Sequence, residues 1–369
     1  MEPVEVESKG LQGDADRRTS MRYRRSSWGY VFILVNNCLQ YSAYYGVSTN
    51  LVNYLKVQLH SGSKAAANSV TNWQGTASIT PLAAGFLADS FLGRFLDKAA
   101  VETAGDRVRP ASPWWLCTVT QVEETKCVLR LLPVWACGII FAAAYTQITT
   151  TFILQGDTLD PRAGRFRVPA AVLTVFDTLS VMLWVPLYDR AVVPLVRRLT
   201  GHRRGFTQLV RMGVGFVILT LAMLAAGTLE VARRRVVALH GTYTGADGAE
   251  YVPMSIFWQV PQYVVVGAAE VFTFIGQMEF FYDQAPDAMR SVCSGLSSAA
   301  FALGNYASSA LVAVVVRVTT RGGRPGWIPD DINDGHLDYF FWLLAMLCTG
   351  NFGAYLLVAR WYTYKKTAD

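Results

Sequence analysis

The chain has 369 residues, of which 52% are hydrophobic and 16% are charged, and its net charge is +6. A soluble domain usually carries about 25% charged residues, so this deficit is typical of a membrane protein. The positive charges collect at the ends of apolar segments, where they report orientation in a membrane. No motif for nucleic-acid binding is visible, and we expect no nucleic-acid partner.

Cysteine and histidine give no sign of a metal or redox site. The six cysteines form no CxxC pair, and the four histidines form neither an HExxH motif nor a cluster. Four of the cysteines lie in apolar segments, as small buried residues do. Because no Ser/His/Asp set or nucleotide motif appears either, we expect no metal, no cofactor and no enzymatic activity.

Eight apolar segments predict an all-α membrane protein, because a helix needs roughly 20 apolar residues to cross a bilayer. The polar residues 1–27 precede them and predict a cytosolic tail. The sixth and seventh spans form one stretch, Pro253 to Val316, divided by a polar turn at Asp283 to Met289. The other six predicted spans are Trp28 to Leu59, Asn68 to Leu92, Leu131 to Gln155, Pro169 to Pro194, Val210 to Val231 and Leu337 to Tyr362.

Basic residues indicate which side of the membrane each connection occupies. They cluster in the N-terminal tail, in the loop after the fourth span and in the C-terminal tail. The positive-inside rule places all three on the cytosolic side, which an even number of spans allows. Arg233, Arg234 and Arg235 follow the fifth span and would lie in an outer loop, so they are a local exception to the rule.

Two features indicate polar structure at the cytosolic face. The second span leads to Asp89 and Arg94, and the fourth leads to Asp189 and Arg190. A repeated polar gate is expected in a carrier built from two related halves, although ordinary loop residues at a membrane edge would give the same pattern. In addition, Ser112 to Arg130 predicts a short helix lying on the cytosolic face, with a capping-box pattern near its start.

The sixth span carries an acidic residue, Glu270, near its middle. Ionisable groups at that depth cost about 2.5–3.5 kcal/mol on insertion scales and usually face a pathway or a buried partner. Helical spacing places Thr273 and Gln277 on the same face, whereas Glu279 falls on the opposite side nearer the cytosol. Glu270 is therefore the candidate site for a proton or a substrate ammonium group, the alternative being a buried carboxyl bonded to a neighbouring helix.

Other polar side chains lie within apolar spans. Such side chains could line a hydrated cavity or form hydrogen bonds between helices, and the pattern does not distinguish the two roles. Asn305 lies in a span rich in small residues, and for it a role in helix packing is favoured. The candidates are Asn37, Gln40 and Tyr41 in the first span, Tyr145 and Gln147 in the third, and Asn305 in the seventh.

Several long segments resemble the plant nitrate/peptide transporter family, the plant arm of the proton-dependent oligopeptide transporters within the major facilitator superfamily. They include VTNWQGTASITPLAAGFLADSFLGRF, FDTLSVMLWVPLYDR and FTFIGQMEFFYDQAPDAMRS. The likeness covers nearly everything from Tyr30 to Lys366 and looks closest to the peptide-transporting branch. It implies two six-helix halves, alternating access and proton-driven uptake of di- or tripeptides or related small organic solutes.

The resemblance also implies roles for individual residues. Glu270 matches the family's binding-site glutamate in the C-terminal half. Tyr145 stands where a nitrate-transporting member has histidine, which favours peptides or another organic solute over nitrate. The matches to the conserved cytosolic loop motif are Gly85, Asp89, Gly93 and Arg94.

The sequence departs from the family in two places. The family's first helix carries Glu-x-x-Glu-Arg for proton coupling, whereas Asn37, Gln40 and Tyr41 hold no charge there and cannot release a proton near neutral pH. The chain also passes from Phe95 directly into the linker before the seventh family helix, so family helices three to six are missing. The expected product is a truncated major facilitator fold of about eight helices.

These inferences define the expected domains and two functional hypotheses. The domains are a tail (1–27), two helices of the N-terminal bundle (28–95), a cytosolic linker with an interfacial helix (96–130), the C-terminal six-helix bundle (131–362) and a second tail (363–369). The chain is either a carrier by descent or a transport-incompetent remnant that associates with full-length homologues. A multi-pass location in the plasma or vacuolar membrane is expected in both cases.

Overall fold

The computed structural model divides into two units, residues 1–50 and residues 51–369. In the first unit the structure describes only positions 44, 46–48 and 50. In the second unit it describes residues 51, 52, 54–56, 58, 59, 62–87, 119–164, 166–200, 205–245, 248–286, 289–321, 325–329 and 331–362.

The second unit is mainly helical. Nine α-helices have described bounds in it, and three of them, α3, α4 and α5, are too short to span a membrane by themselves. Their bounds are Ser63–Leu87 (α1), Val119–Tyr145 (α2), Thr151–Gly156 (α3), Thr174–Leu187 (α4), Val193–Thr200 (α5), Gln208–His240 (α6), Val260–Gln284 (α7), Arg290–Thr319 (α8) and Leu337–Trp361 (α9).

Six segments of the described chain are long and apolar enough to cross a membrane, and they correspond to the six spans predicted for the C-terminal bundle. The chain is therefore an integral, multi-pass membrane protein. The first predicted span lies largely outside the described residues. The second is a helix, α1, as predicted, but it is not among the six. The six spans are Cys127–Gly156, Ala170–Arg198, Gln208–His240, Ile256–Gln284, Arg290–Thr319 and Leu337–Trp361.

The third predicted span is an interrupted helix. Helix α2 ends at Tyr145, a 3-10 turn occupies Thr146–Thr149, and α3 begins at Thr151. Thr150 lies between them with φ −127° and ψ −87°, outside the helical region. At its other end α2 begins at Val119, so the described part of the expected interfacial helix continues directly into the span.

Short strands lie between the spans. Strands β1 (Leu159–Asp160), β4 (Tyr243–Thr244) and β5 (Glu250–Ser255) form a sheet in the order β1-β5-β4, in which β1 is parallel and β4 antiparallel to β5. Strands β2 (Arg162–Ala163) and β3 (Phe166–Arg167) form a separate hairpin. The sixth span accordingly starts at a 3-10 turn, Ile256–Gln259, several residues later than predicted from Pro253.

The prediction that the three consecutive arginines lie in an outer loop is wrong, because α6 has no proline, has no glycine between Gly227 and Gly241, and continues to His240. Arg233 is fully buried and pairs with Glu230 at 2.6 Å. Arg234 pairs with Asp338 of α9 at 3.2 Å. Carboxylates therefore offset two of the three positive charges.

Small residues allow close packing between helices, as the composition of the seventh span predicts. Gly304 of α8 lies against Ala142 and the backbone of Ala143 in α2, so a side chain there would collide with α2. Gly267 of α7 lies against Ser180 of α4, where an added Cβ would approach the Ser180 Cβ to 2.7 Å. These two contacts join α8 to α2 and α7 to α4.

Candidate functional site

Glu270 lies partly buried in the middle of α7 and bonds to the helix break of the third span. The Tyr145 hydroxyl, at the last residue of α2, donates to Oε2 of Glu270 at 2.8 Å. The residues expected on the same face of α7, Thr273 and Gln277, are buried. Glu279 is instead 47% exposed and pairs with Arg211 at 3.3 Å, in agreement with its predicted place on the opposite side.

Aromatic rings fix the position of the tyrosine. The ring of Tyr145 stacks on Phe141 at 6.4 Å and makes edge contacts with Phe274 at 5.1 Å and Phe301 at 6.0 Å. These rings come from α2, α7 and α8, so three helices hold the tyrosine ring in place. The hydroxyl is thereby preorganised toward Glu270 without a charged side chain to hold it.

Gln147 and Asn305 are fully buried and support the helix break. Gln147 donates from Nε2 to Ser308 Oγ at 2.6 Å, and its Oε1 accepts from Thr151 at 3.0 Å. The Asn305 Oδ1 accepts from the Thr146 hydroxyl at 3.0 Å. Both amides thus link the turn to α8, so their role here is to hold the interrupted helix. The structure does not place them in contact with Glu270.

Hydroxyl groups account for the local loss of α-helix. Thr146 donates to the carbonyl of Ala142, Thr149 and Thr150 donate to the carbonyl of Thr146, and Thr151 donates to the carbonyl of Gln147. Such bonds compete with the backbone ladder and bend helices. Irregular backbone at membrane depth is tolerated where it is buried in protein or lines a cavity.

The remaining predicted site residues are not part of this arrangement. Asp189 and Arg190 are exposed on a π-helical turn, Tyr188–Val192, and in the described chain no ion pair joins them. Gly85 lies in the last turn of α1. Asn37, Gln40, Tyr41, Asp89, Gly93 and Arg94 lie outside the described residues.

A further buried acidic residue of the spans, Asp177 of α4, was not among the predicted site residues. It is only 3% exposed, and its Oδ1 has no hydrogen-bond partner. The signal was present, because Asp177 interrupts an apolar span in the same way as Glu270 does. Within the described segments, no group of His, Cys, Asp and Glu residues could hold a metal ion.

Comparisons with known proteins agree with this architecture. The family profile described as "PTR2: POT family" matches residues 90–328, more than half of the chain. "Protein NRT1/ PTR FAMILY 8.2" of Arabidopsis thaliana is 60% identical over 276 residues, which cover 74% of this chain and 48% of the relative. "Protein NRT1/ PTR FAMILY 8.1" of the same plant is 55% identical over the same shares. The chain therefore spans about half the length of the curated relatives it matches.

Solved structures show the same fold. The crystal structure of an auto-inhibited POT family peptide transporter matches with a TM-score of 0.55 and 21% identity, covering 88% of this chain and 58% of that chain. The structure of the POT family transporter PepTSo matches with a TM-score of 0.51 and 20% identity, covering 86% and 58%. The coverage fits the truncated major facilitator fold expected from the sequence.

Proposed function

Because the chain belongs to the POT family, we propose that its six-helix bundle is half of a proton-coupled carrier for di- and tripeptides or related small organic solutes. The carrier works by alternating access, in which the two halves rock around a central site. The proposal extends to the whole carrier, of which this chain spans about half.

The hydrogen bond from Tyr145 to Glu270 is the observation that supports this proposal most. A carboxyl group in the middle of a membrane helix is costly and tends to be functional. Glu270 forms no ion pair within the described chain, so its charge is free to be matched by a proton or by a substrate. A carboxylate attracts an ammonium group and repels an anion, which favours an amine-bearing solute over nitrate.

The proposed chemistry is an exchange at the Glu270 carboxylate. In one state the carboxyl group holds a proton and is neutral. When the proton leaves, the Tyr145 hydroxyl stabilises the anion by donating to Oε2, and the ammonium group of a peptide can replace the proton as its counter-charge. Proton and substrate therefore share one group, and proton-driven uptake requires that the displaced proton be held at another group of the carrier while the substrate crosses.

Transport by two forms of the protein tests the proposal. One is the 369-residue chain, and the other carries the four missing spans of NRT1/PTR FAMILY 8.2 between Phe95 and Leu96. We expect proton-driven dipeptide uptake into liposomes from the extended form and none from the chain alone. Uptake by the chain alone would overturn the expectation that the missing spans are required. If neither form takes up dipeptide or related solutes, the remnant hypothesis replaces the carrier.

The role of Glu270 is tested in the extended form. We expect Glu270→Gln to abolish proton-driven uptake, because the amide cannot exchange a proton or pair with ammonium. Glu250→Gln makes the same chemical change at an exposed strand residue outside the spans and is expected to leave uptake unchanged. Wild-type uptake and pH dependence in Glu270→Gln would remove Glu270 from the mechanism.

A further inference from the structure

Asp177 is buried in the fourth span without a cation to balance a negative charge on its carboxyl group. Its side chain is almost inaccessible, its Oδ1 has no hydrogen-bond partner, and no cation pairs with it in the described chain. An ionised carboxylate in such surroundings costs several kcal/mol, whereas the protonated acid does not carry that cost. Burial alone therefore favours a neutral Asp177.

The packing of α4 on α7 places Asp177 near Glu270. The Ser180 hydroxyl donates to the carbonyl of Val264 at 2.7 Å, and Gly267 sits where an added Cβ would lie 2.8 Å from the Asp177 carbonyl oxygen. Gly267 and Glu270 are three residues apart on α7 and so lie on one face. The carboxyl groups of Asp177 and Glu270 interact electrostatically across this contact.

The other buried acids of the spans differ from this pair. Glu230 pairs with Arg233 at 2.6 Å, and Asp338 pairs with Arg234 at 3.2 Å. Among the buried and partly buried span carboxylates that the structure describes, Asp177 and Glu270 are the two without a cationic partner. Glu230 and Asp338 carry a negative charge that a cation balances. For Asp177 and Glu270, the charge depends on whether the carboxyl group holds a proton.

Few titratable groups face Asp177. Helix α4 itself contains no other ionisable residue, and α7 presents Glu270 and Tyr263. Tyr263 is fully buried, its hydroxyl has no hydrogen-bond partner, and it lies within electrostatic range of both Asp177 and Asp157. The next ionisable groups along the chain, starting at Tyr188, lie about three turns further on at the far end of α4.

We propose that Asp177 is a second proton-binding site, which keeps its proton while Glu270 exchanges its own. Two carboxyl groups that interact electrostatically do not ionise together readily. The anion is favoured on Glu270, because Tyr145 donates to it and Asp177 has no such donor. The assignment to a carrier rests on the proposed function, but the protonation of Asp177 does not.

Infrared spectroscopy of the purified 369-residue chain in lipid tests this inference directly. A protonated carboxyl group gives a C=O stretch that is separate from the carboxylate bands. At about pH 8, where an ordinary carboxyl group and Asp157, whose pKa is about 6, are both ionised, we expect a residual protonated band in the wild type. Asp177→Asn should remove that band. Asp338→Asn is the matched control, because Asp338 is equally buried but ion-paired, and it should leave the band unchanged.

Glu270→Gln provides a measurement that does not depend on the folding of an Asp177 variant. The protonated band should persist in Glu270→Gln, since it belongs to Asp177. Its absence there, its absence in the wild type, or its survival in Asp177→Asn would each overturn the proposal. A band that behaves as expected in a protein whose extended form fails to transport would refute the carrier function and leave the proton site intact.

Discussion

Replacing Glu230 with Gln should destabilise the bundle strongly, because it removes one partner of a buried ion pair. Arg233 makes three contacts with the Glu230 carboxylate, at 2.6, 3.0 and 3.0 Å. Both side chains are fully buried. In Glu230→Gln the guanidinium keeps its 2.6 Å bond to Asn333 but loses the negative charge that balances it.

The magnitude follows from the burial of the remaining charge. Breaking a buried pair by removing one partner typically costs about 3–5 kcal/mol, since an uncompensated charge is left inside the protein. The bond from Gln155 Nε2 to Glu230 Oε2, at 2.7 Å, can be kept by the amide oxygen of the new glutamine. The amide NH2 then replaces Oε1, which accepts from Nε and Nη2 of Arg233, so the variant loses those two bonds together with the charge balance. We expect a value near 4 kcal/mol on that scale.

Thermal unfolding in detergent, at one fixed scan rate, is the assay. Glu250→Gln is the matched control, because it makes the same chemical change at an exposed strand residue, where a substitution usually changes stability by less than about 0.5 kcal/mol. Glu230→Gln with Arg233→Met should recover most of the lost stability, since buried ion pairs are often replaced by apolar residues without net cost. A midpoint equal to that of the control, with no recovery in the double variant, would refute the reasoning.

Two further predictions concern Tyr145 and Asp157. Tyr145→Phe keeps the ring contacts but removes the hydrogen bond to Glu270. Because a hydrogen bond to a charged group is worth about 1.5–3 kcal/mol, the dipeptide affinity of the extended form should fall about 10- to 150-fold. An unchanged affinity would contradict this prediction. Burial raises the pKa of Asp157, just beyond the third span, to about 6, with Lys56 at 3.8 Å opposing the shift. The protonated Asp157 therefore contributes to the stability of the folded state fully below its ordinary pKa, and this contribution is lost as pH rises through about 6. The stability of the wild type relative to Asp157→Asn should decline from about pH 4 to 7 in unfolding scans. A stability difference that does not change with pH would refute the prediction.

Helix positions in the C-terminal bundle were predictable from apolar length alone. The eighth predicted span agrees with α9 to within one residue, and the turn from Asp283 to Met289 separates α7 from α8 as expected. These features follow from local composition, because a bilayer requires an apolar stretch of fixed length. The true end of α6 was missed because hydropathy fell at Glu230, whereas the backbone remained helical to His240.

The helix break at Thr146–Thr150 was not predicted, because hydropathy does not distinguish an α-helix from a 3-10 turn of equal polarity. Its local signal is the run of threonines, whose hydroxyls bond to backbone carbonyls within the same turn. The other half of the cause is tertiary. Gln147 donates to Ser308 of α8, and Thr146 donates to Asn305 of α8. The two residues of each pair are about 160 positions apart in the chain.

Except for Glu230, whose cation lies three residues further along the same helix, the role of a buried acid is decided by partners that are far away in the sequence. Asp177, Glu230, Glu270 and Asp338 all interrupt apolar segments and look equivalent in a hydropathy pattern. Asp338 takes its cation from a helix 104 residues earlier, and Glu270 takes a neutral hydroxyl from 125 residues earlier. An acid with a cation keeps its charge and stabilises packing, whereas an acid with a hydroxyl, or with no partner, is left for protons to neutralise. Sequence can therefore nominate all four acids, and the assembled bundle is needed to separate the ion pair of Asp338 from the proposed proton sites.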